Sequence, residues 1–236
     1  MHEPNPSVAN ATLPALTLDL LEARVLGCLI EKEATTPDVY PLSLNALVNA
    51  CNQKNNRFPV METGEREVEG AIDRLRDKRL VTAFTGANAR AIKYKHRFSD
   101  RFPVEPLAQA MIAELLLRGP QTTAGLRGNC ERLVAVPDLA GCESLLTHLS
   151  GGAEPLVRKL ARQPGQKEAR WSQLLTGEPA AEDATASADA AREPLKVAVE
   201  MTLPPEVEAR LAGLESEVAG LKAELTRLRA SLGETS

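Results

Sequence analysis

Residues 21–37 read LEARVLGCLIEKEATTP, and residues 107–123 read LAQAMIAELLLRGPQTT. Each is an apolar run at helical spacing that ends in a break of Thr and Pro, so each predicts an amphipathic helix followed by a turn. The likeness continues along the chain. SLNALVNAC (43–51) is echoed by TAGLRGNC (123–130), with Leu47 and Cys51 matching Leu126 and Cys130 at one four-residue interval. VEGAIDRLRDKRLV (68–81) is echoed by CESLLTHLSGGAEPLV (142–157), where Val68, Ile72 and Leu75 answer to Cys142, Leu145 and Leu149 in a slightly different phase. Each copy closes with two strand-like runs about a turn: LVTAF and AIKYKHRF in the first, LVRKLA and RWSQLL in the second. Three helices and a hairpin, repeated, is the element order of tandem winged-helix domains. The predicted fold is mainly α with small β-hairpin wings (α+β). Its two domains span 16–104 and 105–176, after a disordered stretch 1–15.

Composition supports small helical cores. Of 236 residues 43% are hydrophobic but only 3% aromatic, so the cores are built from Leu, Val, Ile and Ala. The beginning of the sequence lacks a basic stretch followed by an apolar one, and the most apolar run, Ala110–Leu117, is interrupted by Glu114. The expectation is a cytoplasmic protein with no membrane partner. Cys28, Cys51, Cys130 and Cys142 form no C-x-x-C pair and sit among apolar residues, which reads as buried free thiols. With three histidines and no close ligand pair, no metal or cofactor is expected.

Residues 177–203 are rich in Ala, Asp, Glu and Pro and read as a linker, with a short strand-like alternation at Val197, Val199, Met201 and Leu203. Residues 204–233 then carry a seam of Val207, Leu211, Leu214, Val218, Leu221, Leu225, Leu228 and Leu232 at alternating spacings of four and three. That pattern predicts a coiled-coil helix. The flanking pairs Arg210 with Glu215, Glu217 with Lys222, and Glu224 with Arg229 are opposite in sign for a parallel dimer, so self-association is the expected partnership.

The runs LEARVLGCLIEK, TTPDVYPLSLNALVNACNQKNNR with PVM, and LLLRGPQTTAGLR resemble the YceH family of bacterial proteins. The resemblance covers most of the chain. It implies a tandem winged-helix fold and supplies neither an activity nor functional residues.

Candidate binding residues follow from charge and placement. Residues 177–236 hold 12 acidic and 6 basic side chains, which leaves residues 1–176 at net +2. Within that modest balance, Arg90, Lys93, Lys95, Arg97 and Arg101 oppose only Asp100 in the first wing, and Arg158, Lys159, Arg162, Lys167 and Arg170 oppose only Glu168 in the second. Lys93, Lys95 and Arg97 alternate with Ile92, Tyr94 and His96, so they project from one strand face and suit phosphates. The plainer explanation is an edge strand guarded by Lys and Arg against aggregation. Asn45 and Asn49 stripe one helix face, and Lys54 and Arg57 lie in the NQKNNR turn, where amides and cations can donate to phosphates or base edges. Asn52, Asn55 and Asn56 need no more than turn chemistry. Against groove reading stand Glu65, Glu67 and Glu69 at the start of the would-be recognition helix; its first-turn carboxylates also suit the helix dipole.

No Gly-rich phosphate loop, G-x-S-x-G or H-E-x-x-H run is present, so no enzyme is expected. The sequence predicts a dimeric winged-helix protein that binds DNA, with Asn45, Asn49, Lys54, Arg57, Arg90, Lys93, Lys95 and Arg97 as candidate contacts. A scaffold that docks another protein through the winged helices and coiled coil is the alternative.

Overall fold

The computed structural model describes residues 16–85, 91–162 and 166–177, the pair 195–196, and residues 210 and 220. The chain divides into two compact units, Met1–Val197 and Ala198–Ser236. In the second unit only Arg210 and Gly220 are described, both helical.

Helix α1 (Leu20–Thr35) begins in a capping box: the Asp19 carboxylate accepts from the Glu22 N–H at 2.7 Å while Glu22 accepts from the Asp19 N–H at 2.8 Å. From Leu21 to Glu31 every residue is buried, so α1 is not the one-faced helix its sequence predicts. The reason is its position. It packs against α3 (Glu65–Asp77) on one side and α5 (Pro106–Arg118) on the other, and α5 is buried in the same way from Ala110 to Leu117. The two central helices approach closely at Gly27, where a Cβ would lie 3.0 Å from Cγ and Cδ2 of Leu117.

After α1 come a 3-10 turn (Pro37–Val39), strand β1 (Leu42–Ser43), α2 (Leu44–Cys51), β2 (Met61–Glu62), α3, β3 (Val81–Phe84), β4 (Lys93–His96) and the short α4 (Phe98–Arg101). Ser43 caps α2, its Oγ accepting from the Ala46 N–H at 3.3 Å. Beyond the end of α3, Arg79 takes a left-handed φ of +58° and the Leu80 N–H reaches back to the Leu75 carbonyl at 2.8 Å, which ends the helix. Glu22 is buried under that end and accepts from Arg74 Nε at 3.2 Å and Lys78 Nζ at 2.6 Å. Strands β1, β4 and β3 form one antiparallel sheet in that order, with Leu42 and Ala83 both paired to Tyr94, Val81 to His96, Thr82 to Lys95, and Ser43 and Phe84 both to Lys93.

The second half repeats the order with α5, α6 (Thr123–Cys130), α7 (Leu139–Leu149) and the antiparallel pair β5 (Val157–Lys159) and β6 (Trp171–Gln173). Gln121 bridges Trp171 in the place of β1, and Thr122 caps α6 as Ser43 caps α2. Leu47 and Cys51, like Leu126 and Cys130, are buried as their spacing predicts. In α7 the buried set is Cys142, Leu146 and Leu149, with Leu145 only half-buried. That corrects the expected pairing and brings α7 into the same four-then-three spacing as Val68, Ile72 and Leu75 in α3. Within the stretch read as a linker, β7 (Leu195–Lys196) lies parallel to β2, with Leu195 opposite Met61. The strand-like alternation from Val197 to Leu203 lies outside the described residues.

One continuous core joins the halves. Backbone bonds tie them further: the Phe58 N–H donates to the Leu117 carbonyl at 2.7 Å, and the Leu18 N–H to the Leu175 carbonyl at 2.7 Å. Leu26, Leu29, Met111 and Leu117 are fully buried. Each such side chain contributes about 1.5–3 kcal/mol, against about 0–1 kcal/mol for an exposed ion pair, so the apolar seam rather than surface charge holds the halves together.

Candidate nucleic-acid interface and a buried charge network

Cross-strand register divides the side chains of the first sheet. Tyr94, His96, Leu42 and Val81 face the core, while Lys93, Lys95, Thr82 and Phe84 share the outer face. Lys95 is exposed and Lys93 half-buried, and among the described residues neither side chain makes a hydrogen bond or ion pair. Strand β4 is the centre of the sheet, flanked by β1 and β3. Strand β1 covers β4 only at Lys93 and Tyr94, so edge protection does not explain Lys93, whereas at Lys95 the strand is paired on one side alone. Phe84 beside Lys93 is half exposed, at 50%. Arg97 follows the strand and gives its Nε to Asp100 at 2.6 Å, both groups being about half exposed. Arg90 lies outside the described residues.

The second hairpin is different. Lys159 pairs with Glu143 at 2.5 Å and lies 5.3 Å from the centre of the Trp171 ring, so its charge is engaged inside its own half.

Helix α3 presents Glu65, Glu69, Asp73 and Asp77 on one exposed stripe at four-residue intervals. Glu67 has a local task, accepting from the Gly64 N–H at 3.0 Å at the start of the helix.

The asparagines separate into two groups. Asn45 and Asn49 are exposed on α2 and bond each other, Asn49 Nδ2 donating to Asn45 Oδ1 at 3.2 Å. Asn52 instead grips the backbone of Thr63, donating to its carbonyl at 2.7 Å and accepting from its N–H at 2.9 Å. Asn56 adopts a φ of +60° and accepts from Arg118, consistent with the turn role predicted for it. Lys54 is exposed.

Arg57 corrects the sequence reading. Its side chain has no exposed surface, and its guanidinium meets Glu31 twice, Nη1 to Oε1 at 3.2 Å and Nη2 to Oε2 at 2.5 Å. A phosphate outside the protein cannot reach it. Glu31 also takes Arg132 Nη2 at 2.6 Å, and the same nitrogen reaches Glu114 Oε1 at 2.5 Å, so the network runs from α1 to α5 across both halves. Arg118 Nε lies 3.1 Å from Glu114 Oε2, an ion pair without hydrogen-bond alignment. Arg24 is buried beside them and donates to the carbonyls of Cys51 at 3.1 Å and Pro59 at 2.6 Å.

The charges respond to these surroundings. Burial pushes the Glu31 carboxyl up, but Arg57 and Arg132 outweigh it and hold the group below its ordinary value. Burial raises Glu114, and Arg132 and Arg118 do not offset it. Arg24, with carbonyl partners alone, is lowered by burial. His96 accepts from the Phe98 N–H through Nδ1 at 3.2 Å, so its proton sits on Nε2, 2.7 Å from Glu33 Oε2. Burial lowers its pKa, against the opposing pull of Glu33.

The sequence reading missed Arg24, Glu31, Glu114 and Arg132. The signal was present as single charges inside apolar runs, Glu114 among them, since a charge in an all-round apolar helix needs a buried partner.

All four cysteines are buried free thiols. Among the described residues no group of His, Cys, Asp and Glu is placed to hold a metal ion, and no helix is long and apolar enough to cross a membrane. The seam residues Val207, Leu211, Leu214, Val218, Leu221, Leu225, Leu228 and Leu232 lie outside the described residues.

Residues 18–166 match the family model described as "Protein of unknown function, DUF480". The chain belongs to the DUF480 family. It is 52% identical over 163 residues to a UPF0502 protein of Pelobacter propionicus, covering 69% of this chain and 74% of that one. A UPF0502 protein of Geotalea uraniireducens is 48% identical over 198 residues, 83% of this chain and 89% of the other. One from Aeromonas hydrophila is 49% identical over 169 residues, 69% and 76% respectively. These matches bear out the YceH-family resemblance. The DUF480 region takes in the outer face of the first sheet and the whole Glu31–Arg57–Arg132–Glu114 network, and it stops before the linker.

Proposed function

We propose that this chain is a cytoplasmic tandem winged-helix protein without catalytic activity, which binds duplex DNA through the outer face of its first sheet and dimerises through its C-terminal coiled coil. The element order α1-β1-α2-α3-β3-β4 and the sheet order β1-β4-β3 support the winged-helix reading. The observation that carries the DNA reading is the pair Lys93 and Lys95, which share the outer face of the first sheet with no side-chain partner among the described residues, Lys93 lying where β4 is flanked on both sides. The acidic stripe of α3 repels phosphates, so the contact is a backbone contact through the wing rather than base reading in a groove. Lysine acetylation with and without a duplex tests this directly. Lys93 and Lys95 should be protected by DNA while Lys167 is not; equal labelling of all three in both samples contradicts the reading.

A second reading is a protein-docking scaffold. It is favoured by that same stripe, because four carboxylates at four-residue spacing disfavour the helix by about 0.2–0.5 kcal/mol per neighbouring pair. A partner with a basic face would relieve that repulsion.

A further inference from the structure

We infer that the cavity between the Gln53–Asn56 turn and Arg132 is a binding site for a phosphoryl group. The cavity holds about 330 Å³ and is lined by Lys32, Gln53, Lys54, Asn55, Asn56 and Arg132 around Glu31. That volume lies at the small end of the range for small-molecule sites, roughly 300–1,000 Å³. Its lining is nearly all donors. Among the described lining residues Glu31 is the one carboxylate, and both its oxygens are already taken, Oε1 by Arg57 and Arg132 and Oε2 by Arg57. Lys54 and Asn55 have no hydrogen-bond or ion-pair partner among the described residues.

The charges behind the cavity do not cancel. Glu31 and Glu114 face Arg57, Arg118 and Arg132, and Arg24 adds a further buried cation whose hydrogen bonds, among the described residues, go to carbonyls. Lys32, 3.7 Å from Glu31, and Lys54 bring two ammonium groups to the rim. The last turn of α1 opposes this with roughly half a negative charge, less than either ammonium. Excess positive charge, buried at Arg24 and Arg57 and exposed at the rim on Lys54, favours a bound anion. Donors from α1, from the turn and from the loop after α6 approach from several sides, which suits a dianion with three acceptor oxygens better than a flat carboxylate. The site does not depend on the wing.

The test is a titration of the full chain with inorganic phosphate at constant ionic strength, followed by amide NMR. The account expects saturable shifts at Gln53, Asn55, Asn56 and the Arg132 side chain. The double variant Lys32→Ala/Lys54→Ala should weaken binding by at least roughly tenfold, or about 1.4 kcal/mol. Asn55→Ala, a change at one exposed turn residue, should weaken it by less, and Lys93→Ala/Lys95→Ala should leave it unchanged. Absence of saturation, or an unaltered response in the Lys32→Ala/Lys54→Ala protein, overturns the proposal. A mononucleotide and a short duplex oligonucleotide then distinguish the source. Shifts at the cavity with the duplex that survive in the Lys93→Ala/Lys95→Ala protein identify a nucleic-acid backbone phosphate. Tighter binding of the mononucleotide, with no cavity shifts from the duplex, identifies a small phosphorylated effector.

Discussion

Arg57 and Glu31 form a two-point ion pair in which neither side chain keeps more than 1% of its surface exposed. Such a pair is costly to break from one side, because the remaining charge stays buried without its partner. Glu31→Gln or Arg57→Ala is expected to lose about 3–5 kcal/mol of unfolding free energy in urea, whereas an exposed pair such as Arg76 with Asp73 should contribute under about 1 kcal/mol.

The same carboxylate predicts a pH dependence. Glu31 is held below its ordinary value in the folded chain, so its contribution is present above the unfolded-state pKa, about 4.3. It is lost as pH falls through the lower folded value. Stability curves of the wild type and of Glu31→Gln should therefore converge as pH drops below that value, and parallel curves down to acid unfolding would refute the assignment.

Gly27 marks the contact between the two central helices. Alanine there puts a methyl group 3.0 Å from the Leu117 side chain, and valine adds branches with nowhere to go. Gly27→Val is expected to cost more than the roughly 1–3 kcal/mol typical of an overpacked core, and Gly27→Ala less than Gly27→Val, since Leu117 can shift slightly. Chemical denaturation of both proteins checks the order.

The thiols should be silent in the native protein. All four are buried, and burial pushes the Cys130 thiol up to about 12. An aromatic disulfide reagent should titrate none of them until denaturant is added, and then all four. Rapid reaction of any one in the native state would show that the core opens.

His96 should stay neutral with its proton on Nε2, because Nδ1 already accepts from the Phe98 N–H. Its lowered folded pKa means that it stabilises the fold above about 6.5 and loses that contribution as pH falls. Nitrogen NMR of the ring should report the Nε2–H tautomer at neutral pH, and Nδ1–H would overturn the hydrogen-bond assignment.

The repeat was legible because buried residues recur at fixed spacing. Leu47 and Cys51 against Leu126 and Cys130 identified α2 and α6. The phase of α7 was read one residue off, since Leu145 and Leu146 are equally apolar and the interior decides between them. All-round burial of α1 and α5 was hidden for a different reason: single charges such as Glu31 and Glu114 look like a solvated face until their partners, Arg57 and Arg132, arrive from distant segments. For the candidate site, the alternation that put Lys93 and Lys95 on one face was visible in the sequence, but the central place of β4 depended on β1, a strand of two residues.

The most direct test of the wing reading is the salt dependence of binding to random-sequence duplex DNA, for the wild type beside Lys93→Ala/Lys95→Ala. Each phosphate contact contributes a slope of about 0.9 in log affinity against log salt, so loss of two should make the slope shallower by roughly 1.8. Equal slopes, or no retention of either protein at low salt, would contradict the claim that this strand face holds a nucleic-acid backbone.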